Sequence, residues 1–398
     1  MRTFNYIWEI FKILVVTACT VLISMLSGCI SPFEPVGVEN RAGILVVEGM
    51  ILETGTTIQL SRTIKTKDDI SIATFDDVDN ATIHIIDEGI NVIAVAEQQI
   101  INGIRSQGVY EVRQDFSFIP GMKYALDMKI DGKQYRSSFV SPVHTPEIDD
   151  VNYQINEDNS IDIFVSTHSS ENQTKYFRWA FEEDWELLSK FFMFYRYDPN
   201  SQKFSIFQSP DGDNRYYCWA SDHSKSLILA SSAKYTDDVI KNQKIHSFAP
   251  GTSRYSYLYS ILVKQYGLEN EAYLYFENLQ RNLDESGSIF APQPSEMTGN
   301  VQCLTNQEET VIGYVFASKM TTHRLYLNMS HLNLTFYEDQ YDCLPPYLFI
   351  RNDASAFAMG LGKNGDELSN EYVSLRCLDC TYRGGTKTKP AFWPNDHQ

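Results

Sequence analysis

Residues 125–140 read ALDMKIDGKQYRSSFV. Leu126, Met128 and Ile130 alternate with Asp127 and Lys129, the period-two pattern of a half-buried strand. Asp131-Gly132 is a hairpin turn, because a two-residue turn between twisted strands needs positive φ at both positions. Gln134–Val140 is the return strand, and Gly121-Met122-Lys123-Tyr124 leads into the pair.

The same pattern extends towards the N-terminus. Ile44–Ile51 (ILVVEGMI) and Thr56–Thr63 (TTIQLSRT) read as strands, followed by Ala81–Ile86, Asn91–Ala96, Gly108-Val109-Tyr110 and Phe116–Phe118. About seven short strands in about 100 residues, separated by turn residues, predict an immunoglobulin-like β-sandwich over residues 43–143. Ser141-Pro142 to Pro146 reads as a boundary. Beyond it, residues 146–398 form a larger β-rich domain, with strands expected at Ile148–Ile155, Ser160–Ser166, Tyr176–Phe181, Tyr255–Tyr266, Val311–Ser318 and His323–Met329. Ala272, Phe276, Leu279 and Leu283 fall at helical spacing, so Asn270–Leu283 is a short amphipathic helix on a β platform. The fold class is mainly β. An aromatic share of 13%, with 24 Tyr and 23 Phe, agrees with this, since flat rings pack well on a pleated surface.

The first 42 residues read differently. Arg2 and Lys12 precede the apolar run Ile13–Leu26, which is too short to span a bilayer comfortably but long enough for the core of a secretory signal. Leu26-Ser27-Gly28-Cys29 then matches the bacterial lipobox. Residues 1–28 are expected to be a cleaved signal peptide, with acylation at Cys29 and residues 29–42 as a lipidated tether. Several acyl chains, at about 0.8 kcal/mol per buried CH₂, hold a protein to a bilayer far more firmly than one.

A net charge of −18 leaves no basic footprint, which argues against nucleic acid as a partner. No nucleotide-binding loop, nucleophile elbow or paired-histidine zinc motif is present, and no cofactor or metal is expected. Asp211-Gly212-Asp213-Asn214 lacks the spacing of a calcium loop and reads as a turn. Asp76, Asp77 and Asp79 read as a solvated loop. Five cysteines follow Cys29: Cys218, Cys303, Cys343, Cys377 and Cys380. Export makes disulfides possible, but an odd number leaves a thiol over and the sequence does not choose the pairing. Cys377-x-x-Cys380 sits in a Gly-rich tail without the helix start that a redox pair wants, so structural pairing is expected. Trp179, Trp185 and Trp219 lie on aromatic-rich segments and are the candidate ligand-stacking residues, although aromatic stripes on strands more often face a core.

Leu45-Val46-Val47-Glu48-Gly49, with Leu60-Ser61-Arg62-Thr63 after it, resembles the opening of the Bacteroidota outer-membrane lipoproteins called domain of unknown function 4249. The resemblance continues through Gly121-x-x-Tyr124, Tyr135-x-Ser137, Cys218-Trp219, Gly287–Pro292, Gly299-Asn300-Val301 and Gly313-Tyr314-Val315. It closes with Cys377-x-x-Cys380, Gly384-Gly385-Thr386 and Lys389-Pro390-x-Phe392-Trp393. It implies a non-enzymatic accessory or substrate-binding partner of a TonB-dependent transporter in nutrient uptake, held to the lipid bilayer through acylated Cys29, with a TonB-dependent receptor as partner. It carries no catalytic residues. Two other readings are a surface hydrolase with dispersed carboxylates and a structural or adhesive β-sandwich module. The tail Gly384–Trp393 is expected to fold back as a cap.

Overall fold

In a computed structural model of the chain, Asp131 and Gly132 both take positive φ, +49° and +79°, and Ile130 pairs with Lys133 across the turn. The structure describes residues 43–64, 76–101, 103–169, 174–206, 215–235, 237–285, 299–334, 343, 352–363 and 371–394. The signal peptide, Cys29, the tether, Asp211–Asn214 and Gly287–Pro292 lie outside them.

The protein is mainly β, as its alternation predicts. The first eight strands are β1 (Leu45–Ile51), β2 (Thr57–Arg62), β3 (Asp76–Asp77), β4 (Thr82–Asp87), β5 (Val92–Ile101), β6 (Ile104–Val112), β7 (Tyr124–Ile130) and β8 (Lys133–Ser137). Then come β9 (Ile148–Ile155), β10 (Ile161–His168), β11 (Tyr176–Leu188), β12 (Tyr195–Asp198), β13 (Lys203–Ile206), β14 (Tyr217–His223), β15 (Ile228–Ser231), β16 (Val239–Phe248) and β17 (Leu258–Leu268). Helix α1 (Asn270–Glu285) is followed by β18 (Val301–Cys303), β19 (Val311–Ile312), β20 (Val315–Ala317) and β21 (Thr321–Asn328). Helix α2 (Asp353–Ala358), β22 (Leu361–Lys363) and β23 (Tyr372–Ser374) complete the described elements.

An immunoglobulin-like sandwich would divide the first eight strands between two sheets. Ladder bonds instead join them into one 11-stranded sheet, ordered β18-β8-β7-β4-β5-β6-β2-β1-β19, with β20 on β1 and β3 on β2. Asp76 and Asp77, read as a solvated loop, pair with Arg62 and Ser61 as this short β3. Residues 301–317 supply three of the strands, and Val301, Cys303, Val311, Val315 and Ala317 share one core with Leu45, Leu60, Ile85 and Leu126. The two ends of the sheet meet at Asn300. Its backbone N–H donates to Gly313 O at 3.2 Å, its side-chain amide donates to Val315 O at 2.7 Å, and its Oδ1 accepts from Val315 N–H at 2.8 Å. Gly299, Gly313 and Val47 stack backbone on backbone there. A Cβ on Gly313 would sit 1.9 Å from Val47 O, and one on Gly299 would sit 1.8 Å from Gly313 O. The glycine pairs in Gly299-Asn300 and Gly313-Tyr314 are thus what lets the curled sheet nearly close.

The sandwich of this chain lies further along. A three-stranded sheet, β16-β10-β9, faces a five-stranded one, β14-β11-β17-β21 with β15 on β11. Ile161, Ile163 and Val165 from the first meet Phe177, Trp179, Phe181, Ile261 and Val263 from the second in a single core. The outer face of the five-stranded sheet is also covered. Helix α1 packs Ala272 and Phe276 against Tyr266, Leu268 and Ala180, and against Leu52 and Phe316 of the curled sheet.

The tail covers the rest of that face, as its Gly-Gly and aromatic residues predict. Thr386 and Trp219 exchange backbone hydrogen bonds at 2.8 and 2.9 Å, Tyr326 OH donates to Phe392 O at 2.9 Å, and Trp393 is buried. Gly385 lies so close to Cys218 that a Cβ would come within 2.5 Å of its side chain.

Candidate functional site

Strand β12 alternates Tyr195, inward, with Arg196, exposed, and brings Tyr197 back to the inward side. Its hairpin partner β13 adds Phe204, and α2 and β22–β23 close over them, so that Tyr195, Phe204, Ala356, Leu361 and Tyr372 make a small separate core. Helix α2 starts at Asn352, whose side chain accepts from Ser355 N–H. Asp353 then ties the pieces together, accepting from Phe204 N–H at 2.9 Å and from Tyr372 OH at 2.6 Å. Burial and that bond to Asp353 push the Tyr372 hydroxyl up to about 12.

One disulfide, Cys218–Cys380, staples the module to β14 of the sandwich, and a second, Cys343–Cys377, lies in a small cluster with Val373 and Leu378. The C-x-x-C cysteines therefore do not pair with each other, and each bonds a distant partner. Among the described residues Cys303 is the free thiol, buried in the curled sheet. Between the two cysteines, fully buried Asp379 receives Arg215 Nη1 at 2.6 Å and caps the next turn by accepting from Thr381 N–H at 2.9 Å. A buried carboxylate held by a guanidinium and a backbone amide has its charge answered on the spot.

Between hairpin and staple lies an open cavity of about 560 Å³, lined by Tyr195, Tyr197, Phe204, Phe357, Arg215 and Tyr382 among others. Tyr197 and Phe357 stack with centroids 4.2 Å apart and planes 9° from parallel. Phe194, Ile206, Phe357, Met359 and Tyr382 of this small module are exposed. Such a rim marks a contact surface, since isolated monomers seldom leave apolar side chains clustered in water. Its carboxylates are already engaged. Asp379 holds Arg215, while the backbone of Asn200 and the hydroxyl of Ser201 hold the Asp198 carboxyl below its usual range. The arrangement can stack flat or apolar groups, and both carboxylates of its described lining, Asp198 and Asp379, are held by other groups of the protein.

The three tryptophans lie elsewhere. Trp179 is 1% exposed and donates its indole N–H to Gln265 Oε1 at 2.9 Å, and Trp185 is 7% exposed, donates to Ser253 Oγ and carries the Arg254 guanidinium 4.4 Å above its ring. Both face the sandwich core. Trp219 is half-buried beneath Thr386 of the tail. None of the three lines the cavity. The residues that do line it were not legible as a site, because they come from 193–215 and 357–382. The one local signal was an aspartate between two cysteines, followed by a threonine it could cap.

Two groups of acids on β11 stand out. Glu183, inward, accepts from Arg254 Nε at 2.9 Å and from Tyr259 OH at 2.8 Å, with His246 Nε2 3.2 Å away. Burial pushes it up, but His246 and Arg254 more than reverse this and leave the carboxyl at about 2. On the opposite face, Asp184 and Glu186 lie under the tail. Burial raises both, Glu186 to about 7, with Lys389 pulling weakly the other way. Among the described residues no cluster of three or more His, Cys, Asp or Glu is placed to hold a metal, and no helix is long and apolar enough to cross a membrane.

Fold and cavity together define a class: a mainly β protein, a curled sheet joined to a sandwich, with an aromatic contact surface on a disulfide-stapled module. The chain belongs to the family described as domain of unknown function (DUF4249), whose model matches residues 30–324. The match starts at the residue after Cys29 and spans the hairpin β12–β13 and Cys218, and α2, Cys343, Cys377 and Cys380 follow it. No curated protein matches the chain.

Proposed function

We propose that this protein is an outer-membrane lipoprotein, acylated on Cys29, that serves without catalysis as an accessory or substrate-binding partner of a TonB-dependent transporter in nutrient uptake. The observation that carries the reading is the aromatic cavity with its exposed apolar rim, on a body whose sequence opens with an export signal and lipobox. Its stacked Tyr197 and Phe357 suit contact with a flat ligand or an apolar partner surface. The engagement of Asp198 and Asp379 within the protein supports a binding role over hydrolysis there.

A mild-detergent pull-down of C-terminally tagged protein from its own membranes, read by mass spectrometry, tests this. Stoichiometric recovery of a TonB-dependent receptor is expected. Recovery of the lipoprotein alone, with receptor present in the input, contradicts it.

One observation favours a surface hydrolase as a second reading: Asp184 and Glu186 share a strand face, and burial raises both carboxyls. Turnover of a glycan or peptide that is lost in Glu186→Gln with stability intact would establish it.

A further inference from the structure

The curled sheet carries an uncovered apolar feature far from the cavity. Strands β5 and β6 form a long hairpin whose last pairs are Ile100 with Arg105 and Ile101 with Ile104. All three isoleucines are exposed, Ile104 by 74%. The polar residues Glu97, Gln98 and Gln99 precede them along β5, and Arg105 and Ser106 follow on β6, so a polar stretch sets the tip apart from the exposed Val92 and Val95 further back on β5.

Register shows which way the tip points. Gly49 of β1 is level with Ile58 of β2, which is level with Tyr110 of β6. Moving from that level towards Ile104 on β6 therefore means moving towards Arg62 on β2 and Leu45 on β1. Gly43 donates its N–H to Thr63 O at this same end, and Ile64 beside it is also exposed. The chain thus enters the fold at the end from which the isoleucine tip projects. Cys29 lies 14 residues before Gly43 in the sequence. A segment of that length reaches at most about 50 Å, so an anchored Cys29 holds the entry point at Gly43 within that distance of the membrane.

We propose that the β5–β6 tip, with Ile100, Ile101 and Ile104, and with Ile64 at the same end of the sheet, dips into the interface of a zwitterionic bilayer as a second contact beside the lipid. The proposal rests on the lipoprotein reading for its choice of partner. An apolar tip below a polar collar has the profile of an interfacial anchor, where aliphatic groups enter the acyl boundary and polar groups stay at the headgroups. The partner surface is zwitterionic because the chain carries a net charge of −18. A strongly anionic surface would repel it. One acyl anchor leaves a body free to tumble, whereas a second contact fixes which face it turns to the membrane.

The test uses the full chain purified from its membranes, carrying Ile101→Cys labelled with an environment-sensitive fluorophore. A second sample carries the label at Glu88→Cys, in the β4–β5 turn at the opposite end of the sheet. On phosphatidylcholine vesicles, emission at position 101 should rise several-fold and be quenched by spin-labelled lipid, with position 88 unchanged. Position 101 behaving like position 88 overturns the proposal. The mass of the N-terminal fragment is read on the same samples. Acylated Cys29 with a silent position 101 removes the tip contact and leaves the anchor standing. Unmodified Cys29 with a responding position 101 does the reverse.

Discussion

Glu183 and Glu186 are three residues apart on one strand and titrate in opposite directions. Glu183 sits among His246, Arg254 and Tyr259 and is held at about 2, below an unfolded value near 4.5. Its contribution is complete above about pH 4.5 and is lost as pH falls towards 2. Glu186 is 1% exposed and is raised to about 7, so the folded state prefers it protonated. Its penalty is absent below about pH 4.5, grows through neutrality and is complete above it, at roughly 2–3 kcal/mol. Glu186→Gln should therefore leave stability unchanged at pH 4 and raise it at pH 8. Glu183→Gln should cost about 3 kcal/mol at pH 7, because it leaves the half-buried Arg254 with only its longer contact to Asp222. Urea unfolding of both variants across pH 4–9 checks the pair, and a Glu186→Gln protein less stable than wild type at pH 8 would contradict the assignment.

At the scale of elements, the seam and the tail are the features whose loss is most readable. Gly313→Ala places a methyl group against Val47 O and should open the junction at Asn300. The expected result is a loss of several kcal/mol, with fast hydrogen exchange at the Val315 amide, which now bonds to Asn300. Unchanged exchange there would mean the sheet closes without that contact. Truncation after Arg383 keeps both disulfides and removes the strap over Trp219, Tyr326 and the Asp184–Glu186 face. It should lower Tm by several degrees, and an unchanged Tm would show that the strap is not a cap.

These elements also show what the sequence could tell. The Asp131-Gly132 hairpin and strand β9 were legible because turn chemistry and alternation are local. The split of Val311–Ser318 into β19 and β20 was not. It follows from Gly313 meeting Val47, and the two are 266 residues apart. Trp179 and Trp185 could not be assigned a face from sequence, because β11 is covered on both sides and its alternation is masked. The tail was legible from Gly384-Gly385 and the Phe392-Trp393 pair.

For the whole molecule, the two ends of the structure have different surfaces. The curled sheet presents an isoleucine tip where the chain enters. The stapled module presents an aromatic cavity held by Cys218–Cys380, a bond spanning 162 residues of sequence. Such long-range cross-links suit an exported protein, where oxidation is available and the closed loop removes much unfolded-state freedom. On this account the cavity is the part that meets the transporter, and it was hidden from sequence reading because its walls come from two widely separated stretches, 193–215 and 357–382.

A photo-crosslinker at position 357, in the cavity, and another at position 95, on the outer face of β5, test this in native membranes. The account predicts that the probe at 357 captures a TonB-dependent receptor and the probe at 95 does not. Capture from 95 with none from 357 would contradict it.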